Sequence, residues 1–180
     1  MVVFDSSILL LVLDPHAKAP NDPASGKVVE KAAERIEYLI ENLSADKEKI
    51  VIPTPVLSEV LVHAGEAMQP YIETLNGHAA FRIAPFDQKA AIEAALAMSD
   101  AIRRGGHRVD AANPDATKTK IKFDRQIVAV AKVEGAHTVY SDDDDVHKYA
   151  NRAGLKAYRT AELDVRPEDP QQSLDFNPNS

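Results

Sequence analysis

The chain contains no cysteine. That excludes a disulfide framework, a thiolate metal centre and a cysteine nucleophile together, and it fits a reducing compartment. No stretch approaches the roughly 18 continuous apolar residues of a membrane span. No basic segment precedes the apolar start, and Asp5 interrupts it, so a cleavable leader is not expected. The setting expected is the cytoplasm, with no membrane partner. Positive charge is also in short supply: 21 Lys and Arg stand against 28 Asp and Glu, a net charge of −7. That argues against a broad basic surface for duplex nucleic acid. It does not exclude a local site, because carboxylates gathered on divalent cations present less negative potential than their count suggests.

What remains is ordinary globular material. The 180 residues, with 44% hydrophobic and 27% charged, suit one domain with a sizeable core. No internal repeat or linker divides the chain, and a single domain over residues 1–163 is expected, followed by a polar, flexible tail at 164–180. Met1–Asp5 reads as a buried strand and Ser6–Leu13 as a helix. Proline and glycine mark Asp14–Gly26 as loop. Apolar residues at helical spacing predict a helix over Lys27–Leu43, and "KIVIP" (Lys49–Pro53) predicts a strand. Thr54 as N-cap with Pro55 at the first position opens the next helix. A helix over Gln69–Asn76 and a strand within Ala79–Phe86 follow, then a helix capped by Asp87 and running to about Arg104. His107–Lys122 reads as a long loop, Phe123–Glu134 as a helix, and His137–Ser141 as a strand. A helix over Asp144–Arg152 and a strand over Leu155–Arg159 end the regular structure. Strands alternating with helices predict a parallel sheet covered on both faces.

In such sheets ligands bind outside the carboxyl ends of the strands. Asp5 closes the first strand, Glu59 lies in the second turn of the helix after Lys49–Pro53, Asp124 opens a helix, and Asp142–Asp145 follow His137–Ser141. Each has a plain reading. Asp5 can cap the next helix, Glu59 can form an ion pair beside His63, Asp124 can complement a helix dipole, and "SDDDD" can be a solvated turn. Collected at one sheet edge, however, these carboxylates repel one another, and a hard cation is the usual remedy. Oxygen ligands without Cys or a His pair favour Mg²⁺ or Mn²⁺. Phosphodiester hydrolysis is the matching chemistry.

Four segments carry a resemblance. "VVFDSSILL" resembles the opening strand and Asp-x-Ser/Thr of the PIN-domain nucleases. "TPVLSEVL" is similar to their early-helix glutamate segment, "KFDRQIVAVAK" to their Asp-x-x-Ile-x-Ala-x-Ala helix, and "TVYSDDDDV" to their strand followed by Thr/Ser-x-Asp-x-Asp. All four occur in family order, and within the family the chain looks most like VapC-type toxins. The resemblance implies an α/β/α sandwich with a central, mostly parallel sheet and Mg²⁺- or Mn²⁺-dependent endoribonuclease activity. It places Asp5, Glu59, Asp124 and Asp143 as catalytic metal-site acids and Asp145 as a secondary one. The run of four Asp leaves Asp142 as a contender. Ser7 matches a small hydroxyl residue that orients Asp5 or a metal-bound water. Lys118, Lys120, Lys122 and Arg125 flank Asp124 and are expected to hold substrate phosphates, most plausibly of single-stranded RNA. A toxin implies a small antitoxin as partner. The apolar stripe of Lys27–Leu43 suits a homodimer or antitoxin contact, or packing on its own sheet.

The chain departs from the VapC-type pattern in Asp14–Gly26, His107–Lys122 and the tail, which are longer. Val146 also stands where an aromatic is common. Two other readings compete. One is a catalytically silent PIN-like binding module. The other is a haloacid-dehalogenase-like phosphatase, which requires a second Asp at the place held by Ser7.

Overall fold

The computed structural model describes residues 1–113 and 115–167. Its centre is a sheet of five parallel strands: β1 (Val2–Phe4), β2 (Ile50–Pro53), β3 (Phe81–Ala84), β4 (Thr138–Tyr140) and β5 (Lys156–Tyr158), in the order β3-β2-β1-β4-β5. Val2 pairs with Ile50 on one side and with Thr138 on the other, so β1 is central. A parallel strand buried on both faces needs an unbroken apolar run rather than an alternating one. Val2, Val3 and Phe4 meet that need, since none has any exposed surface. The Phe4 ring meets Tyr140 edge-on at 5.6 Å, which ties β1 to β4 across the middle of the sheet.

The helices are α1 (Ser6–Leu13), α2 (Ala32–Ala45), α3 (Thr54–Ala64), α4 (Met68–Gly77), α5 (Gln88–Arg104), α6 (Lys118–Val133) and α7 (Asp144–Arg152). The chain moves outward from β1 through β2 to β3, then crosses to β4 and β5. Right-handed crossovers therefore place α1–α4 on one face and α5–α7 on the other. The packing agrees: α1 meets α2 and α3, α3 meets α4, and α6 lies between α5 and α7. The α/β/α sandwich with a parallel sheet is thus observed, with every strand pairing parallel among the described residues.

Three expectations about elements need correction. Residues 27–31 are not helical. Val28 bridges back to Asn21, Val29 N–H donates to the Pro20 carbonyl at 2.9 Å, and Lys31 adopts a left-handed conformation, so α2 begins at Ala32. Of its stripe, Ala32, Ile36 and Leu43 are buried where the helix packs against α1 and the 160–162 turn, while Leu39 and Ile40 are half-buried. Thr54 does not cap α3; its hydroxyl accepts from Phe86 N–H at 2.9 Å, tethering the helix start to the segment after β3, and Pro53 occupies the cap position.

The third correction matters most. Helix α6 begins at Lys118 rather than Phe123, because the Thr117 hydroxyl caps it by accepting from Lys120 N–H at 3.1 Å. Ile121, fully buried, extends the apolar face of the helix one turn earlier than the lysines suggested. The expected tail falls, from residue 168 onward, outside the described residues. No helix among the described residues is long and apolar enough to cross a membrane.

Candidate active site

The sheet order reverses direction at β1. Its sequence successor β2 lies on one side and β4 on the other, and a crevice opens at the carboxyl ends where such a reversal occurs. Asp5 follows β1 directly and the segment Ser141–Asp143 follows β4, so both reach this crevice from buried strands. The resulting cleft, of about 580 Å³, is lined by Asp5, Ser7, Glu59, Lys120, Asp124 and Asp143 together with Ser58, His63 and Phe123.

Asp5 is almost wholly buried, and its carboxylate is held from two sides. Oδ1 accepts from Ser6 N–H at 2.7 Å, and Oδ2 accepts from the Ser141 hydroxyl at 2.6 Å. The first contact is a helix cap, so the capping role and a place in the site coexist in one side chain. Ser141 Oγ in turn accepts from Asp143 N–H at 3.0 Å, linking the two acidic segments through one hydroxyl. Burial raises the Asp5 pKa from 3.8 to about 6, against the lowering effect of its hydrogen bonds to Ser141 and Ser6; the charges of Glu59 and Asp143 add to the rise.

Asp124 lies in the second turn of α6, facing the cleft. Burial lifts its pKa from 3.8 to about 7 despite the Lys120 ammonium beside it. Asp143 is the N-cap of α7: Oδ1 accepts from Asp145 N–H at 2.7 Å and Val146 N–H at 3.2 Å, which leaves Oδ2 directed at Lys120. Burial works against the charged form of Asp143, but the Lys120 ammonium and these amides outweigh it, and its pKa lies below the usual carboxylate range. Asp145 is buried on the first turn of α7, with Oδ1 accepting from the amides of Ala112 and Asn113. One carboxylate oxygen from each of Asp124, Asp143 and Asp145 lies within 4.8 Å of the others.

Asp5 and Glu59 line the same cleft outside that trio. Glu59 forms no ion pair among the described residues, so the structural ion pair considered for it is not observed.

The donor set suits a hard divalent ion: three carboxylates, no sulfur and no imidazole among them. The Lys120 ammonium lies within ion-pairing distance of all three, so a cation already fits the space that they enclose.

Other expected site residues are placed elsewhere. Asp142 turns away: its two oxygens accept from Thr160 N–H at 2.9 Å and from the Thr160 hydroxyl at 2.6 Å, fastening the turn after β5. Asp142 lies in the bend after β4 while Asp143 caps α7, and these different partners separate the two neighbours. Ser7 lines the cleft but accepts from Asp142 N–H at 3.0 Å; the hydroxyl that holds Asp5 belongs to Ser141.

Arg125 is not at the cleft. It is buried between α5, α6 and α7, donates to Asp110 at 3.3 Å and stacks over Tyr149 at 4.3 Å. One helical step from Asp124, about 100°, turns it out of the cleft. Lys118 and Lys122 are exposed on the first turns of α6 outside the cleft lining, while His63 is exposed at the cleft rim.

Lys120, expected among the phosphate contacts, is ion-paired to the acids instead. The i, i+4 spacing of Lys120 and Asp124 was the available signal, once residues 118–122 are read as helix.

No protein-family model matches the sequence. No curated protein matches it either. The fold does match solved structures. A chain in the structure of FitAB bound to an IR36 DNA fragment aligns with a TM-score of 0.58 and 17% identity, over 93% of this chain and 100% of that one. A chain of VapBC2 from Rickettsia felis, bound to a DNA fragment from its promoter, aligns with a TM-score of 0.57 and 16% identity, over 88% and 98%. A chain of DNA-bound VapBC from Salmonella typhimurium aligns at 0.53 and 14%, over 88% and 97%. The chain therefore has the PIN-like fold that its four motifs resemble.

Proposed function

We propose that this protein is a divalent-metal-dependent endoribonuclease and the toxin of a toxin–antitoxin pair. The observation that carries the reading is the trio Asp124, Asp143 and Asp145, with carboxylate oxygens within 4.8 Å of one another, set at the switch point of a fold shared with VapBC and FitAB chains. Asp124, Asp143 and Asp145 would hold Mg²⁺ or Mn²⁺, with Asp5 and Glu59 beside them. When bound, such an ion supplies Lewis-acid activation of water and charge stabilisation for phosphodiester hydrolysis.

The chain's own residues do the rest. Ser141 and Ser6 hold the Asp5 carboxylate in one orientation at the cleft wall. Asp143 is fixed by the start of α7, so its second oxygen, the one facing Lys120, has a set direction. Glu59, not engaged in an ion pair among the described residues, is available to orient the attacking water. Lys118 and Lys122, on the exposed first turns of α6, are suited to phosphates of a single RNA strand entering the cleft.

The test is cleavage of single-stranded and structured RNA with Mg²⁺, Mn²⁺ or EDTA, by wild type, Asp5→Asn and Asp143→Asn. Cleavage by wild type that EDTA and both substitutions abolish is the expected result. Equal cleavage by all three proteins sinks the metal-site reading. Absence of cleavage by a folded wild type that binds Mn²⁺ would instead favour a silent binding module. Co-purification of a small protein co-expressed from the neighbouring reading frame tests the antitoxin, and sedimentation tests the homodimer.

A further inference from the structure

Lys120 Nζ lies 2.7 Å from Asp124 Oδ2, 2.9 Å from Asp143 Oδ2 and 3.4 Å from Asp145 Oδ2. These are the same three carboxylates whose oxygens converge closely enough to share a metal ion. Two features hold the ammonium there. The Thr117 cap starts α6 early enough to make residue 120 helical, and the i, i+4 spacing then stacks its side chain on Asp124. Asp124 and Asp145 are buried, with 6% and 2% of their surface exposed, so their negative charges are poorly screened and need a counter-ion. Lys120 supplies one from within the chain. Its side chain is 38% exposed at the cleft wall, so its flexible stem has solvent to withdraw into.

We infer that Lys120 is an exchangeable internal cation: it fills the carboxylate trio in the metal-free protein and leaves when a divalent ion binds. The inference rests on the metal-site reading above and adds a competitor to it. An ammonium and a divalent ion cannot occupy the space among the same three oxygens, because both need those lone pairs and each repels the other. The lysine thus keeps the trio assembled without metal and weakens the apparent metal affinity by the fraction of molecules in which it is seated. A lysine seated in about nine molecules of ten weakens binding roughly tenfold.

Calorimetric titration of the metal-free protein with MnCl₂, without RNA, tests this on wild type, Lys120→Met, Lys120→Gln and Lys120→Arg. Folding of each is checked by circular dichroism. Lys120→Met and Lys120→Gln should bind Mn²⁺ roughly tenfold tighter than wild type, with a lower melting temperature in EDTA and a larger rise on adding Mn²⁺. Lys120→Arg, which keeps the charge, should bind no tighter than wild type. Equal or weaker binding by the two neutral variants overturns the exchange while leaving the metal site standing. Failure of both wild type and the folded neutral variants to bind Mn²⁺ overturns the exchange and the metal site together. Should Lys120→Met not fold, Lys120→Gln carries the comparison.

Discussion

The Ser141 hydroxyl donates to Asp5 Oδ2 at 2.6 Å, a bond between residues 136 positions apart in the chain. It joins the ends of β1 and β4 and, through Asp143 N–H, fixes the start of the acidic segment. Ser141 has no exposed surface and Asp5 only 4%, so no bulk water can replace the donor.

Ser141→Ala should therefore cost stability and activity together. Losing a partner of a buried carboxylate costs about 1–3 kcal/mol, read as a lower denaturant midpoint. RNA cleavage should fall by about tenfold, as Asp5 loses its orientation. Ser141→Thr, which keeps the hydroxyl, should recover much of both. A Ser141→Ala protein as stable and active as wild type would show that the bond fixes nothing.

Stability of the metal-free protein should fall as pH rises from about 4 to 7. Asp5 and Asp124, raised by burial to about 6 and about 7 from 3.8, bind protons more tightly folded than unfolded. Their contribution is complete below the unfolded value and is lost as pH passes the folded one. A shift of about two units at Asp5 corresponds to on the order of 3 kcal/mol. Melting in EDTA at pH 5, 6 and 7 should show the decline, and Asp5→Asn should make it shallower, leaving the share due to Asp124. Parallel profiles for the two proteins would contradict the assignment.

Asp142 and Asp143 are neighbours that should behave as opposites. Asp142→Ala removes both hydrogen bonds to Thr160, which should cost about 1–2 kcal/mol and leave Mn²⁺ affinity unchanged. Asp143→Asn should abolish most Mn²⁺ affinity. Titration of both variants separates them, and a large loss of Mn²⁺ affinity in Asp142→Ala would reverse the roles.

Arg125→Ala should destabilise the fold by about 1–3 kcal/mol, mostly through the stacked guanidinium lost from Tyr149, because Asp110 keeps its paired hydrogen bonds from Arg104 when the Arg125 contact goes. RNA binding by the folded variant should be unchanged. Lys118→Ala with Lys122→Ala should do the reverse, weakening RNA binding with a smaller salt dependence and leaving stability within about 0.5 kcal/mol. Nitrocellulose filter binding at two ionic strengths distinguishes them.

Much of this was legible in the residues because pattern and fold agree. The apolar run of β1, the Asp87 cap and the bounds of α1 and α7 follow from periodicity and capping, and the acids Asp5 and Asp143 after their strands share a cleft with Glu59 and Asp124 on their helices, as the parallel topology led one to expect. The misses share a cause. Three alternate lysines look like loop when local polarity is weighed, but Thr117 and buried Ile121 make them helix. That change moves Lys120 onto the acids. Arg125 looked like a neighbour of Asp124 in sequence, whereas a helix step of about 100° turns it out of the cleft and onto Tyr149 of α7. The run of four Asp concealed its own register, which the α7 cap at Asp143 and the Thr160 partner of Asp142 resolve.

The placement of β1 between β2 and β4 also sets a timetable. Synthesis produces Asp5 first, but its place in the sheet is complete only when β4 arrives, after α2 through α6 have been made. Closing so long a loop is slow compared with local contacts. A fragment that stops before β4 carries Asp5, Glu59 and Asp124 without the strand that gathers them. The catalytic capacity proposed for this chain is therefore withheld through most of its own translation and switches on only with the last part of the sheet.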